Sequence, residues 1–177
     1  LPFVLVLVFS RDYMRARLFT HLDPLADASS QGYQIIQSLI SFQNGGFWGK
    51  GLGKGVQKTG VLPEAYTDFI LPAQAEETGF IGTTLVLLLL LALIFRIFRV
   101  AGRAGDDFGR LFACGIGSLI GCQTLINAGV VSGLFPATGL PVPFISYGGS
   151  SLMMLCIAMG IVLSISRAET ASGGVAA

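Results

Sequence analysis

The sequence predicts an all-α fold, a polytopic transmembrane helical bundle, from its composition and its charge-free stretches. Hydrophobic residues make up 53% of the 177 residues and charged residues 12%, whereas soluble domains carry about 25% charged residues. No charged residue occurs from 78 to 95 or from 111 to 166. As a helix, the first stretch is about 27 Å long, close to a hydrocarbon thickness of about 30 Å. The second stretch has room for two helices and a connection.

The same composition excludes other classes of protein. A net charge of +1 gives no basic field that would hold nucleic acid, and the low charge excludes an intrinsically disordered chain. The cysteines lie in apolar stretches and are spaced neither as a metal site nor as a disulfide framework; they are Cys114, Cys122 and Cys156.

We predict that residues 1–167 form one membrane domain and that residues 168–177 are a disordered cytoplasmic tail. The short apolar stretch at the start is interpreted as the end of a longer span, so the chain is expected to be a fragment of a longer protein. Prolines end the helix after residue 131, and Arg167 ends the last span. The predicted spans are 1–9 (partial), 30–46, 79–95, 111–131 and 150–166, with a large outside loop at 47–78.

The span at 30–46 is unusual because polar residues recur along it. Gln34, Ser38 and Ser41 lie on one helical face, so this helix can cross only if that face meets protein or a wet cavity. A surface amphipathic helix is the alternative. A crossing would place all eight arginines on one side of the membrane and all three lysines on the other, as expected if cytoplasmic loops carry the basic excess.

The outside loop begins with a glycine-rich stretch that contains Lys50, Lys54 and Lys58. Glycine lets backbone N–H groups approach an anion closely, and lysines add positive charge. The stretch does not match a P-loop. The alternative interpretation is a flexible loop whose lysines contact lipid headgroups.

Asp68 follows in the same loop, between apolar residues and just before a membrane segment. A carboxylate at the edge of a low-dielectric region gains proton affinity, which suits a general base. The residue pattern also allows Asp68 to be a helix N-cap or the ion-pair partner of a lysine. Glu76 and Glu77 come next, at the edge of the following span.

The connection at 132–149 is dense in glycine and proline, which is typical of broken helix that lines a cavity at membrane depth. Gln123 and Asn127 precede it on one helical face, since they are four residues apart. In a bilayer such amides usually bond another helix.

Taken together, these stretches resemble the FtsW/RodA family, also called SEDS proteins. Five ordered motifs carry the resemblance, which runs from about Asp12 to Arg167. Gln57-Lys58 points slightly toward the division-type FtsW branch. The motifs are Gly32-Tyr33-Gln34-Ile35-Ile36-Gln37-Ser38, Gly49-Lys50-Gly51-Leu52-Gly53, Leu62-Pro63-Glu64 with Thr67-Asp68-Phe69-Ile70, Glu76-Glu77-Thr78-Gly79-Phe80-Ile81-Gly82, and Pro143-Phe144-Ile145-Ser146-Tyr147-Gly148-Gly149-Ser150-Ser151.

The resemblance implies a protein of about ten membrane helices, of which this chain is the C-terminal part. Such a protein is a multi-pass protein of the bacterial cytoplasmic (inner) membrane with a cytoplasmic C-terminus. It is an inverting peptidoglycan glycosyltransferase that polymerises lipid II during cell division or shape maintenance. The implied partners are a class B penicillin-binding protein and other membrane proteins of the division or elongation complex. This chain alone is expected to be inactive.

The resemblance also assigns site residues, with Asp68 matching the family's essential loop aspartate and acting as the base. No protein metal site is expected, although a divalent cation, Mg or Mn, is a candidate cofactor beside the leaving pyrophosphate. A lipid II flippase and a non-catalytic scaffold of the division complex are the alternative functions. No ionisable residue lies within the predicted spans to couple ions to transport. The expected substrate-binding residues are Lys50, Lys54, Gln57, Lys58, Glu64, Ser146, Tyr147 and Ser150.

Overall fold

The computed structural model describes residues 31–55 and 67–173, and these ranges contain helices and turns without a strand. The all-α prediction is therefore confirmed for the described residues. The helices are α1 (Gln31–Gly45), α2 (Ile70–Arg103), α3 (Asp107–Val131) and α4 (Gly149–Gly173).

Three of the described helices, α2, α3 and α4, are long and apolar enough to cross a membrane. The predicted spans at 79–95, 111–131 and 150–166 fall inside them. The connection between α2 and α3 is shorter than predicted, because both helices continue into the charged stretch. Asp106 caps α3 by accepting a hydrogen bond from Gly109 N at 2.8 Å, which satisfies one of the helix's unpaired N–H groups.

Helix α2 is broken at Gly79, whose φ of 70° and ψ of −170° lie in a region that essentially only glycine adopts. A break frees N–H and C=O groups that would otherwise bond within the helix. The turn after α1, residues 46–55 (the glycine turn), binds these groups through its backbone. The hydrogen bonds are Lys50 N to Glu76 O (2.9 Å), Gly51 N to Glu77 O (3.0 Å), Phe80 N to Gly46 O (2.8 Å) and Ile81 N to Phe47 O (3.3 Å).

Helix α1 turns its small and polar residues toward the other helices. Ser38 and Ser41 are fully buried, and Ser38 Oγ donates to Val131 O of α3 at 2.6 Å. Leu39 faces outward. This is the arrangement that a membrane crossing requires. The described part of α1 has 15 residues, about 22 Å of helix. The crossing at 30–46 stays a prediction.

Two apolar clusters hold the helices together, one near each end of α2. The first joins the start of α2 to the end of α3 and the loop after it, and includes Phe69, Leu71, Val131 and Val142. The second joins the end of α2 to the start of α3 and to α4, and includes Ile97 and Ile120. Pro72 is buried in the first turn of α2, where a missing N–H leaves no bond unmade.

Helix α3 ends in a Schellman motif that starts the loop 132–148. Gly133 has a positive φ of 74° and donates to Val130 O at 3.0 Å, while Leu134 N donates to Gly129 O at 2.7 Å. The loop then folds back onto the first cluster, where Val142 is 1% exposed.

The last helix departs from one prediction. The sequence predicts a disordered tail at 168–177, but α4 continues to Gly173; residues 174–177 lie outside the described residues. The residues after Arg167 read Ala-Glu-Thr-Ala-Ser before the first glycine, and alanine and glutamate are good helix formers, so the helix propagates. The partial span at 1–9 lies outside the described residues.

Candidate functional site

Asp68 lies in the turn 67–69 that leads into α2, and it is half-buried. The next residue, Phe69, is 3% exposed and anchors the turn in the core. The carboxylate rests against the loop 132–148, since a Cβ atom added to Gly139 would lie 3.3 Å from Asp68 Oδ2. Gly139 is exposed and has no side chain, which leaves room for the carboxylate at this contact.

Two alternatives were predicted for Asp68, a helix N-cap and an ion pair with a lysine. The N-cap prediction is wrong, and Lys50 is not the ion-pair partner. Phe69, and not Asp68, occupies the N-cap of α2. Lys50 forms its ion pair with Glu76 and not with Asp68. The role of Asp68 as general base stays a prediction.

Asn127 joins the Asp68 turn to the loop 132–148 through a single amide group. Its Nδ2 donates to Asp68 O and to Leu140 O, both at 2.7 Å, and the residue is 1% exposed. The sequence predicted that this amide would bond another helix; its partners are the turn before α2 and a loop. The contacts satisfy the amide nitrogen with protein acceptors, whereas Asn127 Oδ1 is buried without a hydrogen-bond partner among the described residues.

The predicted substrate residues of the last loop separate into two groups. Ser146 Oγ donates to Thr67 O at 2.6 Å and accepts from Val142 N at 2.7 Å, so its hydroxyl holds the protein backbone. Tyr147 is 82% exposed, and Ser150, at the start of α4, is also exposed. These two side chains are accessible to a ligand.

The glycine turn holds its lysines differently from the prediction. Lys50 Nζ lies 2.7 Å from Oε1 of Glu76, whose side chain is fully buried. The N–H groups of Lys50 and Gly51 bond the carbonyls of the broken helix, so they are not presented to an anion. Lys54 is exposed. Part of the glycine turn that was predicted to bind an anion instead binds α2 on both sides of the break at Gly79.

Three predicted substrate residues, Gln57, Lys58 and Glu64, lie outside the described residues. For the others, the short segment of α2 before Gly79 sets the geometry. Asp68 lies in the turn two residues before α2 begins at Ile70, and Glu76 lies six residues after that start, about 9 Å along the helix axis. Asp68 and the Lys50–Glu76 pair therefore stand at opposite ends of one short helical piece.

An apolar cavity of 720 Å³ opens between α1, α2 and α3. It extends from the start of α2 to the other side of the break and reaches the end of α3. Its lining includes Leu39, Phe42, Phe47, Leu71, Phe80 and Leu87. The cavity is large enough and apolar enough to take a hydrocarbon chain.

Within residues 31–55 and 67–173, no group of three or more His, Cys, Asp or Glu side chains is arranged to hold a metal ion. The described residues thus offer no cage of such side chains for a divalent cation. The expectation of a divalent cation beside the leaving group stays a prediction.

Replacing Lys50 by Met should lower the apparent melting temperature of the full-length protein. The change removes the cation from a buried carboxylate, and losing a charged hydrogen-bond partner costs about 1–3 kcal/mol. Lys54→Met is the matched control, because Lys54 is exposed, and it should change little. Adding Glu76→Gln to Lys50→Met should recover part of the loss. Equal melting temperatures for the two lysine variants would contradict this role of the ion pair.

Sequence reasoning missed the two glycines that shape the site. Gly79 lies in one of the matching motifs, but nothing in its neighbours predicted a helix break. Gly139 lies in the glycine- and proline-rich loop, yet its contact with Asp68 joins residues 71 positions apart. Close pairs of this kind depend on how the loop folds back, which local sequence does not encode.

Comparisons with known proteins agree with this architecture. Residues 1–171 match the family described as "Cell cycle protein" (FTSW_RODA_SPOVE). The chain is 51% identical over 166 residues to a probable peptidoglycan glycosyltransferase FtsW of Geobacter metallireducens, covering 94% of this chain and 44% of that protein. It is 48% identical over 161 residues to stage V sporulation protein E of Bacillus subtilis, covering 91% of this chain and 44% of that protein.

Solved structures are also similar. One, described as "Structural coordination of polymerization and crosslinking by a peptidoglycan synthase complex", matches with a TM-score of 0.69 and 35% identity, covering 90% of this chain and 43% of that one. The other is a rod-shape-determining protein RodA from Thermus thermophilus, with a TM-score of 0.55 and 38% identity, covering 59% of this chain and 35% of that one.

The buried serines of α1 and the three long apolar helices α2, α3 and α4 define a multi-pass membrane protein. The chain belongs to the FtsW/RodA/SpoVE family. The resemblance seen in the sequence is thereby confirmed. The chain spans less than half of the length of the curated relatives that it matches.

Proposed function

We propose that the full-length protein polymerises lipid II into glycan strands, with Asp68 as the general base. The observation that carries the proposal is the position of Asp68. Asp68 is half-buried in the turn before α2, and its carboxylate lies against the exposed Gly139. Family membership supports the substrate class, since a relative is named a probable peptidoglycan glycosyltransferase.

The chemistry requires one proton to move from the attacking group. The 4-hydroxyl of the acceptor sugar attacks the anomeric carbon of the donor sugar with inversion. The new carbon–oxygen bond forms as the bond to the lipid pyrophosphate breaks, and Asp68 takes the hydroxyl proton. A base at hydrogen-bond reach contributes about 10²–10⁴-fold to such a step.

The leaving pyrophosphate develops negative charge that cations stabilise. Lys54 is exposed on the glycine turn and is the described lysine best placed to meet it, with Lys58 as a further candidate. Lys50 contributes indirectly, because its ion pair with Glu76 holds the turn against α2. Tyr147 and Ser150 remain candidates for contacts with the sugars or the peptide.

The apolar cavity supports a place for the lipid tail. It passes along α2 beside the glycine turn, and Phe47 of that turn is part of its lining. A polyprenyl chain lying there would leave its pyrophosphate near Lys54 and its sugars toward Asp68. The lipid-linked substrate would then lie along the part of α2 before Gly79, between Lys54 and Asp68.

The charge pattern supports an orientation with the site on the outer face of the bacterial cytoplasmic membrane. If α1 belongs to a crossing segment, all eight arginines lie inside with the C-terminus, and the three lysines lie outside. Lipid-linked sugars are polymerised on the outer side, so this orientation meets the requirement of the reaction.

We also propose a class B penicillin-binding protein as the transpeptidase partner. The solved complex described as coordinating polymerization and crosslinking supports a partner of this kind.

The test of the proposal is an assay of the purified full-length protein with lipid II in detergent micelles. We expect glycan polymer, because a glycosyltransferase needs no membrane with two sides. A flippase needs two leaflets and would give no polymer in micelles. The flippase alternative deserves this test because α2 includes the buried Glu76 and Glu77 and is broken, as transporter helices are.

A further inference from the structure

A single buried amide connects the residue that carries the candidate base to the loop that faces it. Asn127 Nδ2 donates to the carbonyl oxygens of Asp68 and Leu140, each at 2.7 Å. Both partners are acceptors, so the amide nitrogen and not its oxygen must face them. Asn127 is 1% exposed in the rigid helix α3, which gives the contact a fixed support.

The loop side of this contact lies directly beside the carboxylate. Leu140 follows Gly139, and Gly139 is the residue whose added Cβ would lie 3.3 Å from Asp68 Oδ2. Asn127 therefore fixes both the backbone that bears the carboxylate and the backbone on which the carboxylate rests.

A second side chain holds the neighbouring peptide. Ser146 Oγ donates to Thr67 O at 2.6 Å while it accepts from Val142 N at 2.7 Å. Two successive carbonyls, those of Thr67 and Asp68, are thus held by side chains from the end of α3 and from the loop after it. The turn before α2 has little freedom to rotate Asp68.

We propose that Asn127 is a positioning residue for the Asp68 carboxylate, acting through the Asp68 and Leu140 carbonyls, with Ser146 as its support. The inference rests on the proposed function of Asp68 as base. A base must lie within a few tenths of an ångström of its productive place, and a displacement of about 1 Å can reduce turnover by about 10²-fold. Asn127 needs no contact with substrate for this role.

The test compares full-length Asn127→Asp and wild type in glycan polymerisation and in hydrogen–deuterium exchange. Aspartate has the same shape but replaces the two donors with acceptors that face two carbonyls. We expect kcat to fall about 10- to 100-fold, with the KM for lipid II within about threefold because substrate contacts are unchanged. Exchange should become faster in the peptide that covers residues 67–70.

Ser38→Ala is the matched control. Ser38 is also fully buried and also bonds a carbonyl near the end of α3, that of Val131 at 2.6 Å, but it does not touch the Asp68 turn. It should lower the melting temperature by a comparable amount, with kcat near wild type. If Ser38→Ala and Asn127→Asp lose activity equally, in proportion to lost stability, Asn127 is a general structural residue and the inference is wrong.

Ser146→Ala keeps the inference testable if Asn127→Asp does not fold. It releases the Thr67 carbonyl and the Val142 N–H but leaves both contacts of Asn127 in place, so we expect a smaller fall in kcat with the same faster exchange at 67–70. Unchanged kcat and unchanged exchange would overturn the inference. Asp68→Asn, measured in parallel, separates the two proposals. If it polymerises normally, the base role fails, and the exchange at 67–70 alone decides whether Asn127 positions the turn.

Discussion

Replacing Asp68 by Asn in the full-length protein should reduce glycan polymerisation by about 10²–10⁴-fold, the contribution of a positioned general base. The amide keeps the size of the side chain and its place against Gly139, but it cannot take the proton of the attacking hydroxyl. Initial rates with lipid II, measured beside the melting temperature, check the prediction. We expect the melting temperature to stay near that of wild type, because the side chain is only half-buried.

Asp107→Asn is the matched control for this substitution. Asp107 is exposed and forms a surface ion pair with Arg110 at 2.9 Å, a kind of pair that contributes about 0–1 kcal/mol. Its activity should be that of wild type. Normal polymerisation by correctly folded Asp68→Asn would remove Asp68 from the base role. If such a variant also supported normal division, the scaffold alternative would gain weight.

Replacing Gly79 by Ala should strongly destabilise the protein. The φ and ψ of Gly79 lie in a region that other residues occupy at a cost of about 1–3 kcal/mol. An added Cβ would also collide with the backbone of Gly49 and Phe47, which are held in place by the glycine turn. We expect a lower melting temperature and a lower yield of folded protein in detergent.

Gly102→Ala provides the matched control on the same helix. Gly102 is helical and has no atom within 4 Å of an added Cβ, so alanine should leave stability unchanged or raise it by up to about 1 kcal/mol. A melting temperature for Gly79→Ala equal to that of Gly102→Ala would mean that the break in α2 is not required. The glycine turn would then lose its structural role.

The fold was largely predictable because bilayer dimensions limit the choices. Charge-free stretches and prolines locate three of the spans, and the spacing of Ser38 and Ser41 predicts the polar face that the structure buries. The ends of α2 and α4 were less predictable. Helices continue past the apolar stretch as long as the sequence has no breaker, so hydropathy alone marks the membrane portion and not the helix.

The sequence predicts which residues are candidates for the site, but it does not predict which residues they contact. Asp68 stood out because it is a carboxylate between apolar residues. Lys50 was predicted to meet an anion, and it does, but the anion is Glu76 of the protein itself. Such pairings depend on the break at Gly79, which brings the glycine turn against α2. The choice between a ligand and a protein partner for a lysine is a tertiary property.

The interval between Asp68 and Glu76 has an evolutionary consequence. The first part of α2 sets the distance and the angle between Asp68, the proposed base, and Glu76, which holds Lys50 of the glycine turn. One residue inserted or deleted in this part of the helix would rotate Glu76 by about 100° around the helix axis relative to Asp68. The ion pair with Lys50 would then be lost. Homologues that keep both carboxylates should therefore conserve the number of residues between them, and the buried Leu71 and Ala73 should limit substitutions in the same interval.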